Sequence, residues 1–573
     1  MKEGKFILLG SFCIGVLLAM VRPSVYAQNT YRSPVDIPIL LSGNFGEVRN
    51  NHYHAGLDIR TNSQEGLPIY AIQDGYVSRV RVGGAGYGKA LYLTHPNGKV
   101  SVYAHLKEFS GAIAEYVFKK QSEVERFEIE SFPAMDSLKV HKGDLIAYSG
   151  NTGSSAGPHL HFEIRDAITE AIINPQEEGF RIKDNVPPDI SSITLFPLDA
   201  GGKINGILGK KVFFVSTKTG LTIPEPIRIT GKAGVGISAT DRASGSSNAN
   251  GVYSLALFMD SQLVFHQKLD RFEFNETRQI NGLIDYEARL KGKPIVQKLF
   301  ASGCIDFSGI DKGPGFLWKN DDKLHDISII VADIEGNFRE VKFSVVFNSL
   351  TPTDHLIGGK FIPCGTPSFY KDNELHILFP DNSLLDSLDF TVNRLPKPTG
   401  SFTPEYVLGN NEIPVYQPIS VAIRIPGNLS APLRDKLTIA YRQKGGNWIA
   451  EGGTLRGDEI TQKVKHFGSF CVMADTIKPR ITPVTLYSKE GMTQESEFLF
   501  KIGDNFSGIS TFRLEVNGQW VLTEFDAKTA RLFGKVKNSK GEKLSPGKYT
   551  AKLEVWDFCK NKAEWKGEFW IKN

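Results

Sequence analysis

The run GNTGSSAGPHLHFEIR, residues 150–165, constrains this chain more than any other, because its side chains alternate in kind after a glycine- and serine-rich loop. His159, His161 and Glu163 fall at one parity and Leu160, Phe162 and Ile164 at the other, which is the period of a half-buried strand. Successive strand side chains point to opposite faces, so both imidazoles emerge on one side while the apolar set anchors in a core. A pair of solvated strand histidines would fit equally well, so a second cluster is needed to tell a site from a wet face.

Such a cluster lies about a hundred residues upstream, in GNFGEVRNNHYHAGLDIRT. Asn50, Asn51 and Gly56 argue against a helix, and residues 54–60 read as an extended segment with His54 and Asp58 at one parity. Imidazole nitrogen and carboxylate oxygen are both zinc ligands. His52 is an alternative to His54, six residues from Asp58 instead of four. The hairpin ALYLTHPNGKVSVYAHL, with Pro96, Asn97 and Gly98 at its turn, ends its return strand at His105. Seven of the twelve histidines lie between His52 and His161, a clustering that scattered surface histidines would not show.

Taken in order, HAGLDIR, GLPIYAIQDGYV, YAHL and KGDLIAYSGNTGSSAGPHLHFEIR resemble the catalytic core of the lysostaphin-type (LytM-like) zinc metallopeptidases, bacterial peptidoglycan endopeptidases. The resemblance covers about residues 40 to 180. It implies a β-sheet metallopeptidase fold in which His54, Asp58 and His161 bind Zn2+, while His105 and His159 flank the metal unligated and serve catalysis. It also implies that the substrate is the peptide stems of peptidoglycan. His95 is expected to be structural and His141 a solvated loop residue. Glu163 lies on the right face to orient a ligating imidazole, or else hydrogen-bonds at the core rim.

Three protein ligands and one open position make the catalytic zinc pattern, which activates water near neutral pH. With no HExxH helix present, proton handling and oxyanion stabilisation fall to His105 and His159, in an order the sequence leaves open. The alternative is a non-hydrolysing scaffold that binds wall or regulates another wall hydrolase. Relatives of that kind have lost metal ligands, whereas here all three are in place.

GGAGYG at 83–88 leads into the strand KALYLTH and not into a helix, so it reads as a tight turn and not a phosphate loop. Residues 107–141 exceed what a hairpin connection requires: IAEYVFKK spaces Ile113, Tyr116 and Val117 as a helix does, and RFEIES alternates as a strand does. They are expected to form a wall or flap of the cleft.

The start of the chain, with Lys2 and Lys5, an apolar run from Phe6 to Val21 and the small-residue end VYA, reads as a signal peptide cut after Ala27, a retained anchor being the alternative. Export to the periplasm or cell envelope follows, with no transmembrane helix after cleavage. Beyond Cys13 four cysteines remain, Cys304, Cys364, Cys471 and Cys559, which allow three full pairings or simply buried thiols. The 67 basic and 63 acidic residues nearly cancel, which argues against nucleic acid as a partner.

The rest of the chain is expected to be β. NVPPDISSITLFP and IKPRITPVTLYS open two segments in the same style. Both reach an Asp-x-x-Ser-Gly turn, at Asp241 and Asp504, and both close on Val, Asp and Asn at matching offsets, in VADIEGNFREVKF and VWDFCKNKAEWKGEF. These are two copies of one immunoglobulin-like sandwich. Asx turns explain Asp241, Asp504 and Asp557, calcium ligation being the alternative. The expected order is a signal peptide (1–27), a metallopeptidase domain (28–185), a sandwich (186–350), a β-rich module (351–475) and a second sandwich (476–573), the accessory modules serving to bind or to space.

Overall fold

The computed structural model describes residues 31–215, 222–350, 358–443, 445–486 and 491–572. The expected signal peptide at 1–27 lies outside them. The described chain is mainly β, as expected. Among the described residues no helix is long and apolar enough to cross a membrane.

The site is built on a ten-stranded sheet. Among its strands, in chain order, are β1 (Leu41–Gly43), β2 (Leu57–Arg60), β3 (Gly75–Val82), β4 (Ala90–Thr94) and β5 (Lys99–Ala104), after which the chain forms helix α1 (Gly111–Val124). Then come β6 (Ile129–Ser131), β7 (His159–Asp166) and β8 (Ile172–Ile173). The strand order is β1-β2-β7-β5-β4-β3-β6, so β7 sits centrally between β2 and β5. Leu160, Phe162 and Ile164 are fully buried on one face of β7, which turns His159, His161 and Glu163 to the other. The register sets His161 opposite Asp58 on β2 and Ala104 on β5.

The extended segment expected at 54–60 is shorter: β2 begins at Leu57, and His54 stands on the loop before it, closed by a bridge between Val48 and Tyr53. Gly56 explains the approach, because a Cβ there would lie 2.3 Å from the Phe162 carbonyl oxygen of β7. GGAGYG is the turn between β3 and β4, with Gly86 and Gly88 at positive φ. In the 107–141 connection α1 buries Ile113 and Val117, and β6 pairs with β3.

Strands of residues 189–348 form a four-stranded and an eight-stranded sheet, and those of 480–571 form two four-stranded sheets. The two copies share their pairings. Asp189–Pro197 pairs with Ala233–Thr240 as Arg480–Pro483 pairs with Glu497–Gly503. Leu324–Ala332 pairs with Phe338–Asn348 as Gly547–Asp557 pairs with Lys562–Ile571. Between the copies, two five-stranded sheets share one hydrophobic core.

Packing does not stop at residue 185. The first sandwich carries a long connection between its strands Gln262–Lys268 and Leu324–Ala332 that the last one lacks. Part of it, β9 (Arg271–Phe272), pairs with β8 and joins the ten-stranded sheet. Leu269, Phe272, Ile280, Leu283 and Phe307 share one hydrophobic cluster with Tyr53, Leu57 and Phe162. Phe272 stacks on Phe45 at 4.7 Å between ring centroids. A disulfide between Cys304 and Cys364 ties this connection to the central module, and Cys471 and Cys559 are buried free thiols.

The last sandwich docks on the other flank. Arg513 donates to Glu125 at the end of α1 (2.6 Å), Lys89 pairs with Glu524 (2.8 Å), and Lys528 donates to the Ser155 carbonyl (3.2 Å).

Candidate metal centre

Three donor atoms from two parts of the sequence converge. His54 Nε2 lies 3.0 Å from Asp58 Oδ1 and 3.1 Å from His161 Nδ1, and His161 Nδ1 lies 2.9 Å from the same Asp58 oxygen. The other nitrogen of each imidazole is engaged: His54 Nδ1 donates to the Asn44 carbonyl (2.7 Å) and His161 Nε2 donates to Glu163 Oε1 (2.8 Å). That choice of tautomer points two lone pairs and a carboxylate oxygen at one another, an arrangement stable only around a cation. His161 lies between two carboxylates, which outweigh its burial and raise its pKa to about 9, so a proton or a metal ion is drawn to this point. Ligands bound tetrahedrally at about 2.0–2.1 Å sit about 3.3 Å apart, within a few tenths of an ångström of the spacing seen. His54, Asp58 and His161 can therefore hold a metal ion.

Behind the donors is a shell of partners. Arg49 donates to Asp58 Oδ2 (2.7 Å), and Arg165 donates to Glu163 Oε2 (2.6 Å). Burial opposes ionisation of Glu163, but the Arg165 charge and the His161 and Tyr87 hydrogen bonds hold it at about 2, a permanent carboxylate behind His161. Tyr87, in the GGAGYG turn, donates its hydroxyl to Glu163 and stacks on His161 with centroids 5.2 Å apart. Of the two roles open to Glu163, it takes that of orienting an imidazole.

His105 and His159 face the same point from the side, with ring centroids 4.8 Å apart. His105 Nδ1 donates to the Thr152 carbonyl and His159 Nδ1 to the Gly157 carbonyl, each at 2.8 Å, which turns both Nε2 atoms to the cleft. Burial first, then the nearby charge of His161 and His159, pushes His105 down to about 3, leaving a neutral imidazole. His105 also holds φ at 58°, a left-handed conformation that costs about 1–3 kcal/mol in a non-glycine residue and persists only where packing imposes it. His159 Nε2 is 3.3 Å from Asp58 Oδ1.

The remaining histidines stand apart. His95 is buried between the Asp74 carbonyl (2.9 Å) and Ser101 Oγ (2.7 Å), a structural position. His141 is exposed, and His52 Nδ1 pairs with Asn51 Oδ1 (2.8 Å). Sequence reasoning missed Asn44, Arg49, Tyr87 and Arg165. Only Arg165 carried a signal, sharing the parity of Glu163 on β7.

A groove of about 840 Å3 runs beside the cleft, with Lys89, Lys107 and Ser155 on one wall and Glu524, Phe525 and Lys528 of the last sandwich on the other. Ser155 Oγ, on the groove wall, is 3.2 Å from His159 Nδ1.

Residues 52–124 and 130–175 match peptidase family M23, and residues 360–475 match the Zu5-like domain. Over 123 residues the chain is 33% identical to the DD-carboxypeptidase/endopeptidase Mpg of Neisseria meningitidis, covering 21% of this chain and 22% of that one. The aligned part thus spans about a fifth of the length of this curated relative. The catalytic domain of lysostaphin from Staphylococcus simulans aligns at 23% identity over 24% of this chain and 86% of that chain, with a TM-score of 0.18. A zinc containing peptidase from Vibrio cholerae aligns at 27% identity over 25% of this chain and 37% of that chain, also with a TM-score of 0.18.

Proposed function

From a chain that carries a peptidase family M23 domain, we propose an exported, zinc-dependent endopeptidase that hydrolyses peptide cross-links of peptidoglycan. The observation that carries the reading is the triangle of His54, Asp58 and His161 donor atoms, 2.9–3.1 Å on a side, with two further imidazoles aimed at it. Two nitrogens and a carboxylate oxygen suit Zn2+ and leave one position for water or substrate. When bound, the ion supplies Lewis-acid polarisation and a water acidic enough to ionise near neutral pH.

The chain's own residues do the rest. Asn44 and Glu163 hold His54 and His161 in the tautomers that face the ion, and Arg49 fixes Asp58. With Nδ1 of each donating to a backbone carbonyl, His105 and His159 both present an unprotonated Nε2 to the cleft, so one of them accepts a proton from the attacking water and, then cationic, donates to the developing oxyanion. An extended peptide stem lies in the groove between Lys107 and Lys528, where the last sandwich forms the far wall. The lysines there complement the carboxylates of such stems.

Incubation of the purified zinc-loaded protein with muropeptides of defined cross-link, followed by mass spectrometry, tests the proposal. Cross-linked dimers converted to monomers support it. Intact dimers with zinc bound would leave a wall-binding scaffold in its place.

A further inference from the structure

At the seam between the catalytic sheet and the first sandwich, several loops converge on a cavity of about 30 Å3, separate from the metal centre. Asp184 leads in from the catalytic side, Asp241 follows the strand Ala233–Thr240, and Asp333 follows Leu324–Ala332. A carboxylate oxygen of each lies within 4.8 Å of the others. Turn capping uses some of these oxygens: Asp333 accepts from the Asn337 backbone and side chain, and Asp184 from the Val186 and Ser244 backbone.

Capping leaves the rest unexplained. Asn250 pairs backbone to backbone with Asp241, lines the same cavity and is only 4% exposed, yet its side-chain oxygen has no hydrogen-bond partner. Asp241 Oδ1 and Glu335 Oε1 are likewise buried and unpartnered there. The nearest cation to Glu335 is Arg181, at 3.5 Å from its other oxygen. Acceptors buried together without donors, most of them like-charged, favour a cation among them.

We propose that this cavity binds one hard divalent cation, calcium, through Asp184, Asp241, Asp333, Glu335 and the Asn250 amide oxygen. Calcium takes six to eight oxygens at about 2.3–2.6 Å, so ligands across it lie up to about 5 Å apart, which matches the carboxylate spread. The cavity admits one occupant of the size of a water or an ion. No imidazole or thiolate lines it, which disfavours zinc. Burial, then the charges of Asp333 and Asp184, lifts the Asp241 carboxyl to about 7, as expected of like charges crowded without a counter-ion.

The last sandwich supplies an internal control. Asp475, Asp504 and Asp557 converge at equivalent positions of the repeat. There Asp475 accepts from Ile477 and Ser507, Asp557 from Asn561, and Asp504 Oδ2 from Phe506 and Gly508. Only Asp504 Oδ1 is left over among these carboxylates, and no buried unpaired amide oxygen joins them among the described residues. Turn capping suffices for that cluster. The first cluster also has a structural consequence. Gly251, next to Asn250, exchanges hydrogen bonds of 2.8 and 2.9 Å with the Asn44 side chain, and the Asn44 carbonyl holds His54.

The test is calorimetric titration of the zinc-loaded full chain with Ca2+, alongside thermal melts, for wild type, Asp241→Asn, Asn250→Ala and Asp504→Asn. Wild type and Asp504→Asn should each bind about one equivalent, with a dissociation constant between about 10⁻⁵ and 10⁻³ M, and gain several degrees of melting temperature. Asp241→Asn should lose at least tenfold in affinity while melting no lower than wild type without calcium, because it removes a crowded charge and keeps the shape. Asn250→Ala should also bind more weakly. The proposal is overturned if wild type neither binds nor shifts at millimolar Ca2+, if Asp241→Asn responds as wild type does, or if Asp504→Asn alone abolishes the response.

Discussion

Phe272→Ala tests whether the first sandwich is part of the core beneath the metal centre or merely follows it. Phe272 is 1% exposed, and its ring lies 4.7 Å from Phe45 and 5.7 Å from both Tyr53 and Phe307, centroid to centroid. Removing a buried phenyl ring costs about 3–5 kcal/mol in lost transfer energy and residual cavity, and three surrounding aromatics held by separate backbones cannot collapse to fill it. With a urea slope of about 2 kcal/mol/M, the midpoint should fall by about 2 M. Two signals can be separated, because all six tryptophans lie at Trp318 or beyond, so fluorescence reports the accessory modules. Zinc release to a coloured chelator reports the metal centre, where Tyr53 precedes His54 directly. If the core is continuous, zinc release should move to lower urea in the variant. An unchanged zinc-release midpoint, with only the fluorescence transition shifted, would show that Phe272 belongs to a separate core and refute the reasoning.

Other outcomes follow from the same geometry. A chain ending at Asp184 loses Leu269, Phe272, Ile280 and Phe307 from beneath the site, so it should self-associate and hold zinc poorly in gel filtration with metal analysis, not retain full activity as a spacer model expects. His161→Ala should remove metal and activity together, whereas His105→Ala should keep the metal and lower turnover about 10²–10⁴-fold, read by metal content and muropeptide assay. Glu163→Gln should weaken zinc binding by about 10–100-fold in competition with a chelator, through the lost carboxylate behind His161. Chelation of wild type should abolish hydrolysis and leave the circular dichroism spectrum unchanged, because the cores do not depend on the metal. In the first sandwich, burial disfavours the His325 imidazolium, but hydrogen bonds to Asp321 and Asp260 outweigh it and raise its pKa. Its stabilisation is therefore full below about pH 6.5 and lost as pH rises through the folded value, a slope in tryptophan-monitored unfolding that His325→Gln should remove.

Several features were legible in the sequence because they are local. A period of two put His159, His161 and Glu163 on one face of a strand whatever the rest of the chain did. Turn residues marked the hairpin that delivers His105, and the repeated Asp-x-x-Ser-Gly turns marked two segments that share their strand pairings. What parity could not say is which neighbour a face would meet. That Asp58 and His161 stand opposite each other depends on β2 pairing with β7 across about a hundred residues. That Tyr87 backs His161 depends on a glycine turn folding over the sheet. The same holds at larger scale. The connection carrying Phe272 looked like part of a sandwich because its sequence neighbours are sandwich strands, yet its apolar side chains are buried where the ten-stranded sheet left a face uncovered. Asp184, Asp241, Asn250 and Asp333 meet for a similar reason: Asp241 and Asp333 directly follow two strands, Asp184 and Asn250 lie on connecting segments, and burial, not spacing, brings their oxygens together. Sequence determined the residues and the faces they share, since those follow from backbone geometry over a few residues. Tertiary structure decided the partners, since those follow from which apolar surfaces close on one another.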